Sequence, residues 1–188
     1  MKTYKIFEDI SSNDEIYTKT NSKQHENLIF LDFDGVCNSF ENGSYLNLEN
    51  TKYGYDNDII KRLRYICKHG NAKIVISSNW RRFPIDGTYT FTYNDKKVTC
   101  ENPLPSLFHE IGDLIIGTLP KDRHINKSEA LELWFEYNQD FDGKYAILED
   151  DPREGYQYVT SFKKNLWLTD PKYGVTDKIA DEIVKHFK

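Results

Sequence analysis

Two aspartates stand two residues apart in Asp32-Phe33-Asp34-Gly35, directly after the apolar run Leu28-Ile29-Phe30-Leu31. While the chain stays extended, side chains at i and i+2 share a face. Carboxylates so placed, joined by acids from elsewhere, repel unless a cation sits among them. A second apolar run, Ala72 to Ile76, closes in Ser77-Ser78-Asn79, and a later one, Tyr145 to Leu148, closes in Glu149-Asp150-Asp151. Lys127 opens a helical pattern between the two. Oxygen-only ligands in this number suit Mg²⁺, which keeps several waters and often shares its shell with a phosphate. An aspartate can also attack phosphorus and form an aspartyl-phosphate, and a neighbouring carboxyl can protonate the leaving oxygen and then activate water. Phosphoryl transfer further needs positive charge and donors for the equatorial oxygens. Lys127 can supply the charge, and Ser77 with nearby backbone N–H groups the donors.

Each signal alone has a plainer meaning. Asp-x-Asp-Gly is usually a turn or a calcium-loop fragment, although no Glu follows here at the EF-hand position. A Ser-Ser-Asn after a strand is most often a helix cap. A lone Lys127 is usually a solvated lysine, and a Glu-Asp-Asp run a solvated turn. Order along the chain favours a site: strand then acids, strand then hydroxyl, helix with lysine, strand then acids.

The elements that must position these residues follow from periodicity. Short apolar runs bounded by turn residues predict buried parallel strands at 28–31, 72–76, 114–116, 145–148 and 166–168. Apolar residues at helical spacing predict a helix carrying Ile59, Ile60, Leu63, Ile66 and Cys67, capped by Asp56 or Asp58 and stopped by Gly70. Further helices are expected around 106–111, after the breakers Pro103 and Pro105, over 127–137, and after Thr176. Residues 88–93 and 97–100 flank Asn94-Asp95-Lys96 and predict a hairpin. Alternating strands and helices make an α/β fold, a Rossmann-like parallel sheet with helices on both faces. Ligands bind such sheets beyond the carboxyl ends of the strands, where these polar clusters lie.

With 188 residues the chain is the size of one domain. The formal charge of −5 argues against strong indiscriminate nucleic-acid binding while leaving room for a local basic site. Hydrophobic residues at 38% with 14% aromatics indicate a globular chain rather than a disordered one. No apolar run approaches the roughly 18 residues that cross a bilayer, so no membrane partner is expected. The start carries no secretory pattern. The three cysteines, Cys37, Cys67 and Cys100, lack metal-type spacing and read as free thiols, which points to the cytoplasm. Residues 1–27 read as an N-terminal arm or edge strand, residues 38–55 as a flap.

Ile29-Phe30-Leu31-Asp32-Phe33-Asp34-Gly35-Val36 resembles the first motif of the haloacid dehalogenase-like (HAD) superfamily. Lys73-Ile74-Val75-Ile76-Ser77 is similar to its second motif, Lys127 before Glu129-Ala130-Leu131 to its third, and Ile147-Leu148-Glu149-Asp150-Asp151 to its fourth. Ser78-Asn79-Trp80-Arg81, Trp134-Phe135 and Gly174-Val175-Thr176 resemble the branch found in Swiss Army Knife RNA-repair proteins. The resemblance covers roughly residues 28–187 and implies a HAD-type phosphatase, a phosphoric monoester hydrolase requiring Mg²⁺. Asp32 would be nucleophile and metal ligand. Asp34 would be general acid/base and bind the metal through its carbonyl. Ser77 would bond the phosphoryl oxygens, Lys127 would neutralise them, and Asp150 would hold the metal. In this superfamily the second aspartate of the first motif marks phosphate chemistry rather than dehalogenation.

Several alternatives stand beside these roles. Glu149 occupies a position where Asp is common, so Glu149, Asp150 and Asp151 can share the metal role differently. Ser78 can replace Ser77 if the strand is one residue longer, and Arg123 competes with Lys127. Cys37 is expected as buried packing.

The only inserts are the flap and the 88–100 hairpin, a minimal cap, and an open site suits a large or flexible phosphorylated substrate. Asn79, Arg81, Arg82 and Arg123 are candidate substrate contacts, the arginines as grips for further phosphates of an RNA or DNA end. Trp80, Phe83, Tyr89, Phe91 and Tyr93 offer stacking faces, or simply the packed face of a hairpin. The leading reading is a phosphomonoesterase acting on nucleic-acid ends or nucleotides. Small-metabolite or protein phosphatases, and a non-catalytic binding module of the same fold, are the alternatives.

Overall fold

The computed structural model describes residues 26–44, 54–93 and 95–188. The expected edge strand at the N-terminus and the middle of the flap lie outside the described residues. Five parallel strands form one sheet: β1 (Asn27–Leu31), β2 (Ala72–Ile76), β5 (Ile115–Thr118), β6 (Tyr145–Glu149) and β7 (Leu166–Leu168), in the order β5-β2-β1-β6-β7. The expected hairpin is a separate antiparallel pair, β3 (Thr88–Tyr93) and β4 (Lys96–Glu101).

The helices are α1 (Asn57–His69), α2 (Leu104–Ile111), α3 (Lys127–Tyr137), the single turn α4 (Thr160–Lys163) and α5 (Asp177–Phe187). Their starts carry local chemistry. The Asp56 carboxylate accepts from the Asp58 amide at the start of α1. Asn126 and Glu129 form a reciprocal capping box on α3, and Thr176 accepts from the Ile179 amide on α5. The helix α2 begins two residues earlier than expected. Pro105 sits in its first turn, where a missing N–H costs nothing and φ is already helical.

Alternation along the strands divides the core. Ile29, Leu31, Ile74, Ile76, Ala146 and Leu148 face a cluster with Leu63 of α1, Phe108 of α2 and Ile183 of α5. Leu28, Phe30, Val75 and Ile147 face the other way, onto Leu131 and Trp134 of α3 and Phe162 of α4. Helices therefore cover both faces. The chain steps from β1 to β2 to β5, then jumps back to β6 on the far side of β1. With right-handed crossovers, that reversal puts α3 on the face opposite α1. It also makes the carboxyl ends of β1 and β6 the switch point at which such sheets bind ligands.

Candidate active site

The same alternation places the polar residues that follow the strands. Asp32 continues the face of Leu28 and Phe30, Ser77 that of Val75, and Glu149 that of Ile147. This is the face that α3 covers, and Lys127 is the first residue of α3. Parallel pairing of Leu31 with Ile76 and of Leu31 with Leu148 sets Asp32 level with Ser77 and Glu149.

The result is a buried ion cluster. The Lys127 ammonium lies 3.1 Å from Asp32 Oδ1, 2.8 Å from Glu149 Oε2 and 3.8 Å from Glu154 Oε1. Lys127 is 3% exposed, Asp32 4% and Glu149 0%. Burial opposes the charge on Lys127, but Asp32 and Glu149 overcome it and raise its pKa. Burial and the charge of Asp32 push Glu149 up, against the pull of Lys127. The other oxygen of Glu149 accepts the amides of Asp150 and Asp151 at 3.2 and 3.3 Å, which fixes the loop that carries Asp150. Burial, then the charge of Asp32, raises Asp150 to about 6.

One carboxylate oxygen from each of Asp32, Glu149 and Asp150 falls within 4.8 Å of the others. These three carboxylates, with Glu154 nearby and one ammonium among them, leave negative charge in excess, and the donors are all oxygen. That composition fits a hard divalent cation such as Mg²⁺.

Asp34 stands apart from this cluster. After Asp32 the chain turns, with the Cys37 amide on the Phe33 carbonyl at 2.8 Å, so the two aspartates do not continue one extended face. The Asp34 carboxylate accepts from Trp80 Nε1 at 2.8 Å, and its other oxygen is buried without a partner among the described residues. Burial, then Asp32, pushes its pKa up to about 7. The turn depends on Gly35, at φ +64°, where any Cβ would collide with the Asp150 carboxyl. Asn38 accepts the Gly35 amide at 2.7 Å, and the Thr169 hydroxyl donates to the Gly35 carbonyl at 2.8 Å.

The two serines separate by their bonds. Ser78 Oγ accepts the Trp80 amide at 3.4 Å as the cap of a 3₁₀ turn, Asn79–Arg82. Ser77 Oγ is buried with no partner among the described residues. Asn79 donates to Glu154 at 3.1 Å.

The arginines expected to grip substrate are tied to the main chain instead. Arg81, 1% exposed, donates to the carbonyls of Pro120, Ser77 and Ser78. Arg82 donates to the Ile125 carbonyl at 2.7 Å. Arg123 donates to the Arg82 carbonyl and lies over the Phe83 ring at 5.2 Å, away from the place Lys127 fills. Asp151 caps the next turn and pairs with exposed Arg153 at 2.7 Å rather than joining the acidic cluster.

Trp80, Phe83 and Tyr89 pack on one another, with Phe83 and Tyr89 ring centroids 4.5 Å apart, so this trio serves the hairpin's packing. The side chains of Phe91 and Tyr93 lie outside the described residues. Cys37 is buried and its thiol donates to the Asp32 carbonyl at 3.4 Å. Burial and the charges of Asp32 and Asp34 hold that thiol protonated.

Four participants escaped the sequence reading: Glu154, Tyr156, Thr169 and Asn38. Tyr156 is fully buried, its hydroxyl without a partner among the described residues, and its pKa is raised by burial and by Glu149. Only Glu154 left a signal, an acid four residues past Asp150 on the same strand-end loop.

No helix among the described residues is long and apolar enough to cross a membrane. Comparison with curated proteins and with solved structures finds no match. The model of one family, the HAD domain in Swiss Army Knife RNA repair proteins, matches residues 28–180. That span holds β1 through β7 and the whole of the cluster around Lys127, and the chain belongs to this family of HAD domains.

Proposed function

We propose that the protein is a Mg²⁺-dependent phosphomonoesterase working through an aspartyl-phosphate on Asp32. The carrying observation is the juxtaposition of Asp32, Lys127, Glu149 and Asp150 at one sheet edge, with the Asp34 carboxyl held separately by Trp80. Asp32 and Asp150 would hold the metal together with the Asp34 carbonyl, since Glu149 already bonds Lys127 and two amides. The bound cation would neutralise phosphoryl oxygens and relieve repulsion between nucleophile and substrate.

In the first step an Asp32 oxygen attacks phosphorus as the ester P–O bond breaks, and Asp34 gives its proton to the leaving oxygen. In the second, a water gives a proton to Asp34 and attacks phosphorus. The Asp32–phosphorus bond breaks, phosphate leaves and both aspartates are restored. Ser77, whose hydroxyl has no partner among the described residues, donates to a phosphoryl oxygen. Lys127 orients Asp32 and offsets the charge of the transferring group.

The substrate we favour is a phosphorylated nucleic-acid end or nucleotide. The small inserts between strands and the family's description as domains of RNA repair proteins support it. The test is phosphate release, with and without Mg²⁺, from an aryl phosphate, mononucleotides, and RNA and DNA oligomers phosphorylated at either end. Release that requires Mg²⁺ and vanishes in Asp32→Asn is expected. Preference for mononucleotides or small phosphates over oligomers would replace the nucleic-acid reading, and no release from folded protein would overturn the phosphatase reading.

A further inference from the structure

Arg81 is a buried charge that this chemistry leaves unused. A guanidinium removed from water is costly unless its donors are met and its charge is balanced. No carboxylate lies within ion-pair distance of Arg81 among the described residues. Its bonds go to three carbonyls: Nε to Pro120 at 3.1 Å, and Nη1 to Ser77 at 2.5 Å and Ser78 at 2.9 Å. Nη2 is buried and has no partner among the described residues. Burial, then the neighbouring Arg82, lowers its pKa to about 10, which still leaves it charged at neutral pH.

The pattern of acceptors matters more than their number. A trans peptide points its C=O and N–H in opposite directions, and none of the described peptide bonds is cis. Clamping the Ser77 carbonyl therefore turns the Ser78 N–H away from Arg81. Clamping the Ser78 carbonyl, which also accepts the Arg81 amide at 3.1 Å, does the same to the Asn79 N–H. Neither N–H donates to an acceptor among the described residues. The hydroxyl of Ser77, level with Asp32 across the β1–β2 pairing, also has no partner among the described residues. One buried side chain thus bears on the direction of two adjacent amides, which lie beside the Ser77 hydroxyl.

We propose that Arg81 is a positioning residue for phosphoryl transfer. By holding the Ser77 and Ser78 carbonyls, it aims the Ser78 and Asn79 amides, beside the Ser77 hydroxyl, at the oxygens of the transferring group. The inference rests on the phosphatase reading and adds to it the device that preorganises the donors. Arginine is required because its planar fork serves carbonyls on two sides at once, which a lysine ammonium at the end of a flexible stem does not reproduce. Donors fixed before the reaction help most where charge develops in the transition state.

The test compares wild type, Arg81→Lys and Arg81→Gln by thermal unfolding, by kcat and KM for the best substrate, and by inhibition with vanadate and inorganic phosphate. Vanadate imitates pentacoordinate phosphorus, whereas phosphate imitates the ground state. Losing one aligned donor costs on the order of 10²–10³ in kcat. The expected result is a folded variant with kcat down by about that factor, KM changed by only a few fold, and vanadate inhibition weakened far more than phosphate inhibition. Folded variants with kcat within a few fold of wild type would overturn the proposal. So would an equal loss of vanadate and phosphate binding, or the failure of both variants to fold, which would assign Arg81 to stability alone. A wild type that releases no phosphate would refute the phosphatase reading itself, a distinct outcome.

Discussion

Replacing Lys127 by Met tests whether the buried ion cluster holds together as read. The methionine keeps most of the packed stem and deletes the ammonium. Asp32 Oδ1 then loses a partner at 3.1 Å, and Glu149 Oε2, in a fully buried side chain, loses one at 2.8 Å. Removing one partner of a buried pair costs roughly 3–5 kcal/mol, because the remaining charge stays buried without compensation. For a chain of this size each kcal/mol moves the unfolding midpoint by about 2–4 °C, so a fall on the order of 6–20 °C is expected.

The sharper readout is the second substitution. Glu149→Gln retains an oxygen for the Asp150 and Asp151 amides but removes the charge. In the wild-type background the broken ion pair is offset by removal of a charge that burial and Asp32 already disfavour, so little net change in stability is expected. In Lys127→Met it removes the uncompensated charge and should stabilise. The assay is urea unfolding of the four proteins in a chelator-containing buffer, so that no added cation replaces the ammonium. A Glu149→Gln effect markedly more stabilising in Lys127→Met than in wild type is the predicted outcome. Additive effects, or a loss in Lys127→Met below about 1 kcal/mol, would refute the claim that Lys127 neutralises Glu149, since coupled neighbours depart from additivity by about 0.5–3 kcal/mol.

Two more perturbations probe the frame around the site. Gly35→Ala places a Cβ at φ +64° against the Asp150 carboxyl. It should cost at least about 1–2 kcal/mol of stability from the left-handed backbone alone and weaken Mg²⁺ binding by displacing Asp150; calorimetry showing unchanged stability and metal affinity would contradict that close approach. His186, whose Nε2 lies 3.2 Å from the Tyr145 carbonyl, has its pKa lowered by burial and by Lys144. The folded state therefore binds this proton less readily than the unfolded state. The contribution of His186 is present in full above the unfolded value of about 6.5 and is lost as pH falls through the lower folded value. Midpoints of wild type and His186→Gln should converge as pH drops from 8 to 5, and a pH-independent difference would count against it.

The layers and the chemical inventory were legible in the order of residues alone. Five short apolar runs and the 3.6-residue spacing of Ile59, Leu63 and Ile66 reflect burial on one or two faces, which is a local property of composition and period. The structure moved element ends by a residue or two, as at α2, where Pro105 starts a helix instead of preventing one. Reading Asp32, Ser77, Lys127 and Asp150 as one set was legible for the same reason: each follows a strand or opens a helix, and a parallel sheet gathers such ends at one edge.

Which partner each side chain takes was decided only by tertiary structure. Asp34 and Trp80 are 46 residues apart, Lys127 and Glu149 are 22 apart, and Gly35 and Thr169 are 134 apart. No local pattern encodes such pairs. The arginines show the difference most clearly. Next to Ser77 in sequence, Arg81 and Arg82 look like solvent-facing grips for phosphate. In the fold the 3₁₀ turn Asn79–Arg82 carries Arg81 inward, where the carbonyls of Ser77, Ser78 and Pro120 meet it. A charge pattern says that a cation is present; packing decides whether it faces water, a ligand or the backbone, because only packing sets how much solvent each charge must give up.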